Sequence, residues 1–220
     1  MSMTTFQSLG GIVMIPLLML SLVTVALILE RILFWSQVNR RQKPFVREVL
    51  NLYRQNPHQA FQHLHQNVDL PIARIFLAAL ELDRATPDEF RLALESAAQA
   101  EIPLLKRFNT VFETVITVSP LLGLLGTILG LINAFGSLQI GDIGGTQTTG
   151  VTSGISEALV STAGGIVVAI FTLLFANAFR SMYLRQIALI QEYGGQLELM
   201  YRRYYEQFYR RANPPYASPQ

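Results

Sequence analysis

The sequence predicts an all-α, polytopic membrane protein: three transmembrane helices, long helices extending into the cytoplasm, the N-terminus outside and the C-terminus inside. Three observations carry this expectation. Half of the 220 residues are hydrophobic and only 15% are charged. All 17 Lys and Arg residues fall in two blocks, Arg31 to Arg107 and Arg180 to Arg211, so that residues 1–30 and 108–179 have no basic side chain. Three apolar stretches reach the roughly 20 residues that a helix needs to cross a bilayer. Low charge argues against intrinsic disorder. The absence of cysteine removes disulfides, thiolate metal sites and a Cys nucleophile. The formal charge of +2 is segregated between apolar stretches. It therefore reads as membrane topology, and no nucleic-acid partner is expected.

The first segment, 1–35, comprises a periplasmic N-terminus and the first span, apolar from about Leu9 to Trp35 with no charge before Glu30. It lacks the basic n-region of a signal peptide and reads as a retained anchor. Residues 36–107 form a cytoplasmic helical region, with pieces from Pro44 to Tyr53, from near Pro57, and from Leu70 to Leu82. Thr86-Pro87-Asp88-Glu89 is a helix start: Thr86 caps, Pro87 suits the first helical position, and Glu89 supplies the capping-box carboxylate. That helix is expected to run on into the second span, 108–136, with Pro103 as a kink point. A short periplasmic loop, 137–154, leads to the third span, 155–179. Span three continues as a cytoplasmic amphipathic helix, 180–212, with apolar residues Ile187, Ile190, Leu197, Met200, Tyr204 and Phe208 and a weak point at Gly194-Gly195. The Pro-rich tail 213–220 has no periodic apolar face and is expected to be disordered. Basic residues crowd the ends at Arg31–Arg47, Lys106-Arg107 and Arg180–Arg185, which places those ends in the cytoplasm.

Glu157 lies just inside the outer end of span three, where an ionised carboxylate facing lipid costs about 2.5 kcal/mol or more at the helix centre. It is expected to face protein or water, although a carboxylate snorkelling to the interface would also fit. Gly154, Ser161, Gly164 and Gly165 share its stripe and make it small and polar. Thr127 and Thr162 are membrane threonines that can satisfy their own hydroxyls on a carbonyl three or four residues back. Gly123, Gly126 and Gly130 form a smooth ridge on span two, as do Gly165, Ala169, Thr172 and Ala176 on span three; both suit close helix contacts. Pro120 bends span two and suits either packing or a pore bend. Glu113, near the cytoplasmic start of span two, suits an interfacial charge or a second-rank pore or gating position, as Ser161 does on span three. His58, His63 and His65 lack nearby carboxylates or cysteines in ligand spacing and read as solvated loop residues rather than a metal site. No Walker A sequence, dinucleotide fingerprint, HExxH or GxSxG occurs, so neither an enzyme nor a bound cofactor is expected.

Ser119-Pro-Leu-Leu-Gly-Leu-Leu-Gly-Thr127-Ile-Leu-Gly130, followed by Gly154-Ile-Ser-Glu157-Ala-Leu-Val-Ser-Thr162-Ala-Gly-Gly, resembles the MotA/TolQ/ExbB proton-channel family. The three spans and large cytoplasmic loop are similar to its ExbB/TolQ branch. The resemblance implies a homopentamer in the bacterial inner membrane, enclosing the spans of an ExbD- or TolR-like partner that carries a membrane aspartate, with a TonB- or TolA-like protein beyond it. It also implies that Thr127 and Thr162 line the proton pathway and that Glu157 is the pore-facing glutamate. Phe171 stands where many relatives have proline. The function so implied is a proton channel or motor that couples proton motive force to work on a periplasmic or outer-membrane system. The alternative is a non-conducting membrane scaffold that assembles partner proteins.

Overall fold

The computed structural model describes residues 12–83, 85–136 and 147–212. Among these residues there are six helices: α1 (Met14–Gln55), α2 (Pro57–His65), α3 (Pro71–Leu80), α4 (Pro87–Leu105), α5 (Asn109–Gly136) and α6 (Gln147–Ala212). No strand occurs among the described residues. Three helical stretches are long and apolar enough to cross a membrane: α1, the stretch Pro87–Gly136, and Val151–Phe208 within α6. The N-terminal residues 1–11 and the tail 213–220 lie outside the described residues, as does the first part of the expected loop, residues 137–146.

The chain divides into two compact units. The first, residues 1–32 and 108–180, holds the three apolar stretches. Its outward side chains are large and apolar, with Leu22, Leu121, Leu159 and Val167 all more than 60% exposed. That is the surface expected where lipid or a partner helix replaces water. Inside it, Phe112 packs against Phe179 with ring centroids 5.8 Å apart. Arg31 is 2% exposed; its Nε donates to Glu30 at 2.8 Å and its guanidinium lies 5.5 Å from the centre of the Phe108 ring. A buried guanidinium is tolerable only when it is paired in this way.

The second unit, residues 33–107 and 181–220, has its core on Trp35, Val46, Val49, Phe76, Phe90 and Leu197. The expected capping box is formed: the Thr86 hydroxyl accepts from the Glu89 N–H, and the Glu89 carboxylate accepts from the Thr86 N–H at 2.7 Å. The Thr86 backbone N–H, followed by its hydroxyl, holds the Glu89 carboxyl below the usual carboxylate range. Phe90 stacks on Tyr201 at 4.0 Å, and the Tyr201 hydroxyl donates to the Ala85 carbonyl at 2.7 Å. Arg74 grips Glu101 through Nε (2.6 Å) and Nη2 (2.5 Å) and donates to the Val68 carbonyl at 2.6 Å. The buried amides of Gln42 and Gln186 meet at 2.5 Å.

Four sequence expectations need correction. The helix from Pro87 does not run unbroken into span two: α4 stops at Leu105, and α5 starts at Asn109 after Phe108, whose φ is 69°. A left-handed residue cannot continue a right-handed helix, so the break falls there and not at Pro103, which lies inside α4. Gly194-Gly195 does not interrupt α6, because Ile190, Tyr193 and Leu197 are buried on either side and hold the backbone. Span three's helix begins at Gln147, well before Ile155, and so shortens the expected loop 137–154. The three histidines lie on α2 and not in a loop, capped at its start by Asn56. His63 stacks on Phe45 at 5.3 Å, and His65 meets Phe61 edge-on at 4.7 Å.

Candidate functional site

Within the first unit, α5 and the start of α6 meet along a seam of small residues. Seven α5 positions are buried: Phe112, Val115, Ser119, Gly123, Gly126, Gly130 and Ala134. The last five recur every three or four residues, so they form one straight ridge on a helix. Opposite them lie Gly154, Ala158, Ser161 and Gly165 of α6. The approach is backbone to backbone. A methyl added at Gly123 would stand 2.9 Å from the Ser161 carbonyl oxygen and 2.9 Å from Thr162 Cα. At Gly130 it would meet the Gly154 carbonyl oxygen at 2.9 Å, and at Gly165 it would run into the Ser119 carbonyl oxygen. At Gly126 it would collide with the Ser161 hydroxyl. Such proximity is open only to glycine and is the usual device by which membrane helices pack tightly without a hydrophobic driving force.

The seam fixes where the polar motif residues go. Thr162 is half-buried, and its hydroxyl crosses to α5, donating to the Gly123 carbonyl at 3.0 Å. In helical geometry that carbonyl is also the acceptor of the Thr127 N–H. Thr127 therefore lies one turn of α5, about 6 Å along the axis, from the point where Thr162 makes contact. Their hydroxyls are satisfied differently: Thr127 donates back to the Leu124 carbonyl at 2.6 Å within its own helix, whereas Thr162 uses the neighbouring helix. Ser161 is fully buried, its hydroxyl shared between the Ala158 carbonyl (2.8 Å) and the Gly123 carbonyl (3.3 Å).

Glu157 is half-buried and makes no ion pair or hydrogen bond among the described residues. It lies five positions before Thr162, and five residues at 100° each turn it about 140° around the helix. The stripe it shares with Gly154, Ser161 and Gly165 is taken up by the seam, while Gly164 faces Met14 of α1. Glu113 is exposed on α5, about 21 Å along the axis from Thr127 at 1.5 Å per residue. Its carbonyl accepts from the Thr117 hydroxyl at 2.9 Å. Pro120 is half-buried inside α5, which continues through it unbroken. No group of three or more His, Cys, Asp or Glu side chains suited to a metal occurs among the described residues.

Reasoning from sequence did not single out Ala134 and Ala158, which extend the seam. The signal was present as small residues at Gly154, Ala158, Ser161 and Gly165, spaced four, three and four. The expectation had instead followed the ridge onward from Gly165. Of that ridge, Ala169 and Thr172 are buried and Ala176 is half-buried. Thr24 and Ser119 are also buried, and their hydroxyls have no hydrogen-bond partner among the described residues.

Residues 67–192 match the model of the MotA/TolQ/ExbB proton channel family, a range that includes α5 and the membrane part of α6. The chain is 66% identical over 198 residues to the biopolymer transport protein ExbB-like 3 of Synechocystis, covering 90% of this chain and 94% of that one. It is 40% identical over 194 residues to ExbB-like 1 of the same organism, covering 88% and 76%. Over 135 residues it is 34% identical to the biopolymer transport protein ExbB of Salmonella typhimurium, covering 56% and 52%. These relatives are transport proteins, and the match spans the two helices that build the seam. With three helices able to cross a membrane and this similarity along nearly its whole length, the chain is a multi-pass membrane protein that belongs to the MotA/TolQ/ExbB proton channel family.

Proposed function

We propose that this chain is the ring-forming subunit of an inner-membrane proton channel that energises a periplasmic or outer-membrane process through a one-span, aspartate-bearing partner of the ExbD/TolR kind. The observation that carries the reading is the placing of Thr162 against the turn of α5 that runs from Gly123 to Thr127, held by the Thr162 hydroxyl on the Gly123 carbonyl. Both hydroxyl protons are committed to backbone carbonyls, so each oxygen presents acceptor lone pairs. Such a pair suits the O–H of a protonated carboxylic acid or of water. To hold the ionised carboxylate, a threonine must first release its carbonyl, at about 1 kcal/mol for one such bond. The two threonines thus discriminate between the protonation states of a carboxyl group passing them. In the proposed cycle, protons enter from outside past Glu157, reside on the partner aspartate beside Thr127 and Thr162, and leave toward the cytoplasm on the side of Glu113. The partner helices shift or turn within a homopentamer as they do so. Each proton driven by 100 mV supplies about 2.3 kcal/mol, so a useful stroke needs several. N-out, C-in topology follows from the clustered arginines and is part of the proposal.

The test is proton uptake into proteoliposomes holding this chain and its one-span partner under an imposed potential. Flux should require both Thr162, replaced by Val, and the partner's aspartate, replaced by Asn, while Thr162→Ser retains most of it. The burial of Ser161 and the seam glycines in packing favours one other reading, a non-conducting scaffold. An assembled complex without flux, or flux indifferent to Thr162→Val, would select it.

A further inference from the structure

The second unit carries a cleft of about 300 Å³ lined by Tyr53, Arg54, Met200, Arg203, Tyr204 and Gln207, between the end of α1 and the last turns of α6. Among the described residues, no carboxylate lines it. None of its five polar side chains has an ion pair or hydrogen bond among the described residues. The neighbouring arginine behaves differently: Arg202 reaches Asp88 at 3.7 Å and Glu198 at 3.6 Å. Two guanidinium groups, two phenols and an amide, none of which donates to another described residue, therefore line one open space.

We propose that this cleft binds a phosphate-bearing anion. Each guanidinium can present a two-donor fork to phosphate oxygens, the geometry in which arginine surpasses lysine. Two fixed positive charges match a phosphate dianion. They also outweigh the negative end of α1, about half an elementary charge, near which Arg54 sits. Tyr53 is 8% exposed, and burial, followed by the Tyr201 and Tyr204 phenols, pushes its hydroxyl up to about 12. It therefore stays protonated as a donor. Tyr204 is 57% exposed and offers a ring face beside the arginines on which a planar group attached to the phosphate can stack. The site is independent of the proton-channel proposal, being built entirely from the second unit.

Tyr53 lies 18 residues past Trp35 along α1, about 27 Å beyond the end of the first span, which favours a small solute over a lipid headgroup as the source of the phosphate, and the experiment separates the two. The full-length protein is placed in nanodiscs of neutral phosphatidylcholine and titrated with inorganic phosphate and pyrophosphate, following 31P resonance broadening. A second arm measures enrichment of phosphatidylglycerol around the protein in mixed nanodiscs. Arg54→Gln/Arg203→Gln is compared with the parent in both arms. Both arginines are exposed, and Tyr204→Leu serves as a second, charge-neutral variant. Saturable phosphate or pyrophosphate binding, weakened about ten-fold or more by the double variant, supports a solute site. Enrichment of the anionic lipid that the double variant abolishes, without solute binding, supports a headgroup site. Binding that ignores the double variant, or neither effect in a protein of unchanged melting temperature, overturns the proposal.

Discussion

Replacing Gly123 by alanine tests whether the seam depends on backbone contact. The new methyl would lie 2.9 Å from both the Ser161 carbonyl oxygen and Thr162 Cα, about 0.5 Å inside the 3.4 Å at which ordinary contact begins. Both obstacles are backbone, so no rotamer change relieves them and the two helices must part. Parting by that amount stretches the Thr162 hydroxyl bond from 3.0 Å to about 3.5 Å, where it ceases to be a hydrogen bond. Overpacking costs about 1–3 kcal/mol, and an interhelical hydrogen bond in a membrane contributes about 0.6 kcal/mol. The better helix propensity of alanine returns about 1 kcal/mol. The expected balance is a loss of about 1–2 kcal/mol. Gly194→Ala and Gly195→Ala are the matched controls: both lie inside α6 with nothing within 4 Å of an added Cβ, and each should gain about 0.5–1 kcal/mol. Unfolding of the three variants in one detergent, followed by circular dichroism against heat or denaturing detergent, reads the signs directly. Gly123→Ala unfolding no earlier than the parent, with Gly194→Ala stabilised as expected, would refute the reasoning.

Three further outcomes follow from particular contacts. Phe108 holds a φ of 69°, so Phe108→Val, β-branched, should lose about 1–2 kcal/mol more than Phe108→Asn, which tolerates that backbone; thermal unfolding of the pair decides it. Glu101→Gln removes the carboxylate that grips Arg74 and chiefly raises its pKa, which should cost about 1.5–3 kcal/mol in denaturant midpoint experiments. Tyr53 has its folded pKa raised to about 12 from 10.0, so its contribution is fully present below pH 10 and is lost as pH rises through 12. Stability of the parent should fall over that window more steeply than that of Tyr53→Phe, with tyrosinate absorbance reporting the titration.

Much of the architecture is local and hence readable in the residues. The capping box at Thr86 and Glu89 and the starts at Pro57 and Pro71 depend on interactions within one turn, and the apolar lengths follow from hydropathy alone. The helix break at Phe108 is not of that kind. Phenylalanine has no preference for positive φ, and its ring sits under Arg31, a residue 77 positions earlier. Nor is the continuity of α6 through Gly194-Gly195, where buried neighbours on both sides outweigh two poor helix formers.

At the candidate site the same division holds. The residue types are legible, because an intramembrane glutamate and glycine ridges each have few uses in hydrocarbon, while Thr127 and Thr162 stand out only through the motifs that carry the family resemblance. The sequence by itself thus determined the class of protein, the three apolar stretches and the short list Thr127, Thr162, Glu157 and the glycines. Only the tertiary structure decided which glycines meet which partners, and that Thr162 bonds to the Gly123 carbonyl while Thr127 bonds to its own helix. The reason is physical: helical periodicity assigns each residue a face, but the level at which two helices meet is set by how closely their backbones can approach, and that is a property of the pair.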